Sequence, residues 1–154
     1  MLGLAFLMIV STVVDRYATA ASAADPFAGV PTTTMGVTSC TGDVVTSSVR
    51  LGGTLEAREM RVVHEARHTL QAARTGCDAF NDTSAGAVML READAGCATA
   101  DFLMRTYHHR FDEFDFIAPT LAFEYDMAAT FPPEIITAAA DQACAPFRAK
   151  TAKH

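Results

Sequence analysis

A mainly helical α+β fold is what this sequence predicts, and three observations carry that expectation. The β-branched stretch Val44–Val49, closed by Gly52-Gly53, reads as one strand. A run of strong helix formers then covers residues 55–74, and a second capped helical run covers 85–107. The chain has 154 residues, half of them hydrophobic and 19% charged, which suits one domain with a modest core and no disordered tract. One domain over residues 25–150 is therefore expected.

Residues 2–14 are uncharged and are followed by Asp15-Arg16 and a small-residue stretch that includes Ala21-Ser22-Ala23. This resembles a signal peptide: the run is short for a membrane span, and Ala-Ser-Ala is an A-x-A-like cleavage site. No Lys or Arg precedes the run, so residues 1–24 read equally as a signal peptide or anchor and as a buried first helix. Export and a cytoplasmic location stand on equal footing. Residues 25–42 are rich in Pro, Gly, Thr and Ser and read as loop with at most one short strand. After Val44–Val49, Thr54 supplies an N-cap for the helix over 55–74, and Gly76 stops it. Residues 77–83 carry turn formers, and Ser84 caps the helix over 85–107, giving an αα-hairpin. An aromatic and acidic connector at 111–116 follows. Pro119 is expected to open a helix through 127, and Pro132-Pro133 precede a last helix to about 147, with a frayed tail from 150. No internal repeat is present.

The formal net charge of −6 argues against a polyanionic partner, so no nucleic acid is expected. Membrane contact is expected only through residues 1–24, and the sequence gives no signal of oligomeric state. Four cysteines, Cys40, Cys77, Cys97 and Cys144, are widely spaced with no C-x-x-C pair, which does not look like a structural zinc knot. They read either as two disulfides of an exported protein or as buried thiols, with no pairing deducible.

The chemistry lies in His64-Glu65-Ala66-Arg67-His68, an H-E-x-x-H sequence inside the first long helix. Residues four apart share a helix face, so His64 and His68 can direct two imidazole nitrogens at one Zn²⁺ ion. Glu65 lies about 100° further round the helix, where its carboxylate serves as the general base that activates metal-bound water. A catalytic zinc takes three protein ligands and leaves one position open. Glu92, on the second helix, is the expected third ligand, because the hairpin can return it toward the histidines. Ala95 and Gly96 share its face and allow close helix approach. Asp94 is the rival, pointing to nearly the opposite face. Asp94, Asp101 and the acids at 112–115 are all candidates to support a ligand histidine, and they cannot be ranked. Gln71 can bond a ligand carboxylate or face solvent. Tyr107-His108-His109-Arg110 offers oxyanion-stabilising types, but a polar helix end favoured by the helix dipole is the preferred reading.

His64-Glu65-Ala66-Arg67-His68-Thr69-Leu70-Gln71, followed by Glu92-Ala93-Asp94-Ala95, resembles gluzincin-type zinc metallopeptidases. The nearest resemblance is to bacterial metallopeptidases with an H-E-x-R-H-x-x-Q helix and a later E-A-D-A helix. It covers residues 44–107. It implies zinc held by His64, His68 and Glu92, Glu65 as base, a minimal zincin-like core, and a strand at Val44–Val49 that lines the substrate cleft. The gluzincin pattern has an Asp four residues after the glutamate ligand, whereas Gly96 stands there in this chain. The expected activity is hydrolysis of peptide bonds in a peptide or protein substrate. The alternatives are a catalytically degenerate zincin-like binding or structural module, and a small helical protein in which the motif is accidental.

Overall fold

The computed structural model describes residues 35–42, 44–109 and 112–151. The candidate signal peptide or first helix at 1–24 lies outside the described residues, as do residues 25–34 of the expected loop, Arg110, Phe111 and the tail beyond 151. Among the described residues the chain is mainly helical with one two-stranded antiparallel sheet, in agreement with a mainly helical α+β class. It divides into two compact units, the first ending at Cys77 and the second beginning at Asp78.

The first unit contains β1 (Gly36–Thr41), β2 (Val44–Val49) and α1 (Leu55–Thr75). The single short strand anticipated within 25–42 is β1. The strands pair in register from Gly36 opposite Val49 to Thr41 opposite Val44, and Gly42, at φ 59°, takes the left-handed conformation that a tight hairpin reversal requires. Side chains alternate along a strand, so Thr38 and Ser47, opposite each other, share one face of the hairpin. Both meet α1 through hydroxyl contacts described below. The Thr54 side chain caps α1 by accepting the Ala57 N–H at 3.2 Å, and Gly76, at φ 80°, ends it with an N–H bond to the Ala72 carbonyl. Arg61 reaches back from α1 to the carbonyls of Arg50 and Gly52 and fixes the β2–α1 connection. A Cys40–Cys77 disulfide joins β1 to the residue beyond the α1 cap.

Residues 77–83, expected as a turn, contain a single helical turn, α2 (Cys77–Phe80). Tertiary contact overrides local turn propensity here. Phe80 is buried, its carbonyl accepts a 2.6 Å bond from Arg91, and the Arg91 guanidinium stands 5.0 Å over its ring. The Asp82 carboxylate then accepts the Ser84 N–H, which holds its pKa below the ordinary carboxylate value.

The second unit is built on α3 (Ala85–Thr106), capped by Ser84 as expected. A 3-10 turn at Glu113–Phe116 leads into α4 (Ile117–Phe123), and a further 3-10 turn at Met127–Ala129 precedes α5 (Pro133–Thr151). Two boundaries differ from the sequence expectation. Pro119 does not open α4; it is the third residue, where a missing N–H costs nothing because the first four helical N–H groups have no intrahelical partner. This helix ends at Phe123 rather than 127, and the chain reverses through Asp126 at φ 54°. The last helix runs past 147 to Thr151 with Pro146 inside it. Burial of Cys144 and Phe147 on either side of that proline holds the helix together across the lost backbone bond.

Met89, Ala93, Cys97 and Ala100 recur at helical spacing on α3 and pack with Phe114, Ile117, Leu121, Ile136, Cys144 and Phe147. Gly96 receives Ile117 closely: an added Cβ would lie 3.1 Å from its Cδ1. A second disulfide, Cys97–Cys144, joins α3 to α5 within this core. The four cysteines thus form two bridges, with sequence separations of 37 and 47, each worth about 4 kcal/mol on a loop-entropy argument. No helix among the described residues is long and apolar enough to cross a membrane.

Leu121 is 1% exposed in this core, whereas Phe123 is 84% exposed. Leu121→Ala should therefore cost about 2–5 kcal/mol of unfolding free energy in urea titrations, from lost transfer energy and a residual cavity. Phe123→Ala should stay within about 0.5 kcal/mol.

Candidate metal centre

His64, Glu65 and His68 occupy consecutive turns of α1, and the helix itself brings the two imidazoles together. His64 Nε2 lies 3.1 Å from His68 Nε2, with the ring planes nearly perpendicular. Two nitrogens bound to one tetrahedral zinc at 2.0–2.1 Å stand about 3.4 Å apart, so this pair is already close to chelating geometry.

His68 is buried, and its other nitrogen, Nδ1, lies 2.8 Å from Gln71 Oε1. The Nδ1–H donates to that amide oxygen, which fixes the tautomer and makes Nε2 the lone-pair nitrogen. Gln71 thus supports a histidine. The sequence signal for this role was present: Gln71 stands three residues after His68, the spacing that places two side chains on one helix face. Several acids considered for this role are engaged elsewhere. Asp101 accepts from Arg105 at 2.8 Å, Asp112 caps the Phe114 N–H, Glu113 pairs with His109, and Asp115 lies 3.7 Å from Arg148. Tyr107 is the C-cap residue of α3 and His109 is committed to Glu113, which matches the polar helix end; Arg110 lies outside the described residues.

The Glu65 side chain turns toward the hairpin. It is 6% exposed, and its Oε2 accepts a 2.7 Å hydrogen bond from Thr38 Oγ1. Thr38 is 2.7 Å from Ser47 Oγ, which is 2.6 Å from Thr69 Oγ1, whose hydroxyl also reaches the Glu65 carbonyl at 3.1 Å. Gly36 leaves room for this arrangement, since a Cβ there would collide with the Glu65 carboxylate. Sequence reasoning missed both Thr38 and Gly36. They precede Glu65 by 27 and more residues, on a strand with no strong signal of its own, and only the hairpin register reveals them.

In the second unit Glu92 is half-buried on α3, next to the fully buried Ala93. Among the described residues, His64 and His68 on α1 and Glu92 on α3 are those that could each offer one ligand atom to a metal ion. No family model, curated protein or solved structure matches this chain.

The Gln71 contact makes a direct prediction. Gln71→Ala should weaken divalent-metal binding about 10–100-fold in competition with a chromophoric chelator, the range seen when a partner of a ligand histidine is removed. Gln71→Glu should retain the affinity, because a carboxylate accepts the same Nδ1–H bond.

Proposed function

We propose that this chain is a zinc-dependent hydrolase that cleaves peptide bonds, with His64, His68 and Glu92 as metal ligands and Glu65 as general base. The observation that carries the reading is the approach of the two histidine Nε2 atoms to 3.1 Å on a helix whose intervening glutamate is buried and held. Two imidazole nitrogens and one carboxylate oxygen are the donor set of many catalytic zinc sites, which keep a fourth position open. When bound, zinc supplies Lewis-acid polarisation of a carbonyl and a lowered pKa for water. The Glu65 carboxylate, gripped at Oε2, takes the proton of the attacking water at Oε1 and returns it to the leaving amine nitrogen. His68, fixed by Gln71, keeps its Nε2 lone pair directed at the site. The resemblance of residues 44–107 to gluzincin-type metallopeptidases supports the same assignment, including a small zincin-like core and a peptide or protein substrate. Within this reading, the strand beside the base is β1, through Thr38, while β2 meets α1 through Ser47.

Purified protein should hold about one zinc per chain. His64→Ala and His68→Ala should lose the metal, whereas Glu65→Gln should keep it and lose about 10²–10⁴-fold in hydrolysis of fluorescein-labelled casein. Equal metal loss in all three variants would contradict these roles. Glu92→Ala should weaken zinc binding well beyond Asp94→Ala in the same titration. If Asp94→Ala has the larger effect, the ligand set is wrong even though the histidine pair survives.

A further inference from the structure

Resting on the peptidase reading, we infer that Thr38 is the positioning residue that aims the Glu65 carboxylate, with Ser47 and Thr69 ordering its hydroxyl. A glutamate carboxylate turns in a broad torsional well, so a base on a helix needs an external contact to point one oxygen at its task. Thr38 Oγ1 provides it from β1, at 2.7 Å from Oε2, and Gly36 removes the Cβ that would displace the same carboxylate. The donor order follows from valence. A carboxylate only accepts, so the single Thr38 proton goes to Glu65, and Ser47 is then the donor to Thr38 across 2.7 Å; the Thr69 proton is shared between Ser47, 2.6 Å away, and the Glu65 carbonyl at 3.1 Å. The Ser47 and Thr38 hydroxyls thus align toward one carboxylate oxygen, the first bond polarising the second, while Thr69 holds Ser47 from the helix side. Their placement needs two strands and a helix, which distinguishes them from solvent-facing strand hydroxyls such as the exposed pair Ser39 and Thr46.

The test compares wild type, Thr38→Val and Thr38→Ser, all loaded with zinc, on fluorescein-labelled casein, together with zinc content and urea midpoints. Val is nearly isosteric but cannot donate; Ser restores the hydroxyl. Thr38→Val should lower kcat about 10–100-fold, as a misaimed group does, with KM and zinc content unchanged, and Thr38→Ser should recover most of the loss. A kcat at the wild-type level in Thr38→Val, or a Thr38→Ser variant as slow as Thr38→Val, overturns the inference. Should Thr38→Val not fold, Thr38→Ala takes its place in the comparison. A readout independent of activity is a double-mutant cycle with Glu65→Leu: Thr38→Val should lower the urea midpoint clearly less in that background than in wild type, and equal shifts would overturn the contact. Failure of the peptidase reading looks different. Wild type that holds zinc but leaves casein intact removes that reading, and the positioning role falls with it, whatever the cycle shows.

Discussion

The first unit is organised by one constraint: a buried carboxylate on α1 needs hydrogen-bond donors. An ionised group taken out of water costs several kcal/mol unless it is bonded. Glu65 is 6% exposed on a helix whose own N–H groups are committed to its backbone ladder, so help must come from another element. The hairpin supplies it. Thr38 donates to Oε2, and the strand face that carries Thr38 and Ser47 must then lie against α1 and not toward solvent. That choice explains why the hydroxyls of Thr38 and Ser47 face the helix while those of Ser39 and Thr46 stay exposed. It also explains Gly36, whose missing Cβ makes space for the carboxylate, and it gives structural meaning to the Cys40–Cys77 bridge, which ties the same strand to the far end of the same helix.

What the sequence made legible was governed by local spacing. The first long helix could be read from its cap and stop, Thr54 with Gly76, and the second from its Ser84 cap, because capping is decided within a few residues. The histidine pair was legible for the same reason, since four-residue spacing on a helix needs no tertiary information. Gln71 was within reach of that argument, although its residue type alone fits a ligand carboxylate or solvent equally well. Features decided by packing were misread. Pro119 looked like the opening of a helix, yet it sits at the third position, where no N–H is needed. The residues that hold Glu65 were illegible because they depend on strand register across a long separation, and β1 has mixed composition and a glycine at its start.

The two units are clamped in different ways. In the second, Ala93 and Cys97 are fully buried and small, so α3 is a thin spine on which Phe114, Ile117, Leu121 and Phe147 close, with the Cys97–Cys144 bridge inside the apolar cluster. Ordinary close packing accounts for this unit, and its stability is tied to apolar volume. Among the described residues of the first unit the buried ones are Glu65, His68, Ala72 and Cys40. These described residues are tied together by hydroxyl and carbonyl hydrogen bonds plus a disulfide.

That contrast bears on the chemistry proposed for α1. The histidine pair is set by one helix and one i,i+3 glutamine, contacts that persist as long as the helix does. The orientation of Glu65 is set by a hairpin with no third strand beside it among the described residues. A two-stranded ribbon is marginal by itself and depends on what it packs against. The approach of the two histidine nitrogens and the orientation of the Glu65 carboxylate therefore rest on elements of different robustness, one local and one long-range. Disturbance of the hairpin acts first on the base, while the histidine nitrogens, fixed within a single turn of helix, keep their approach.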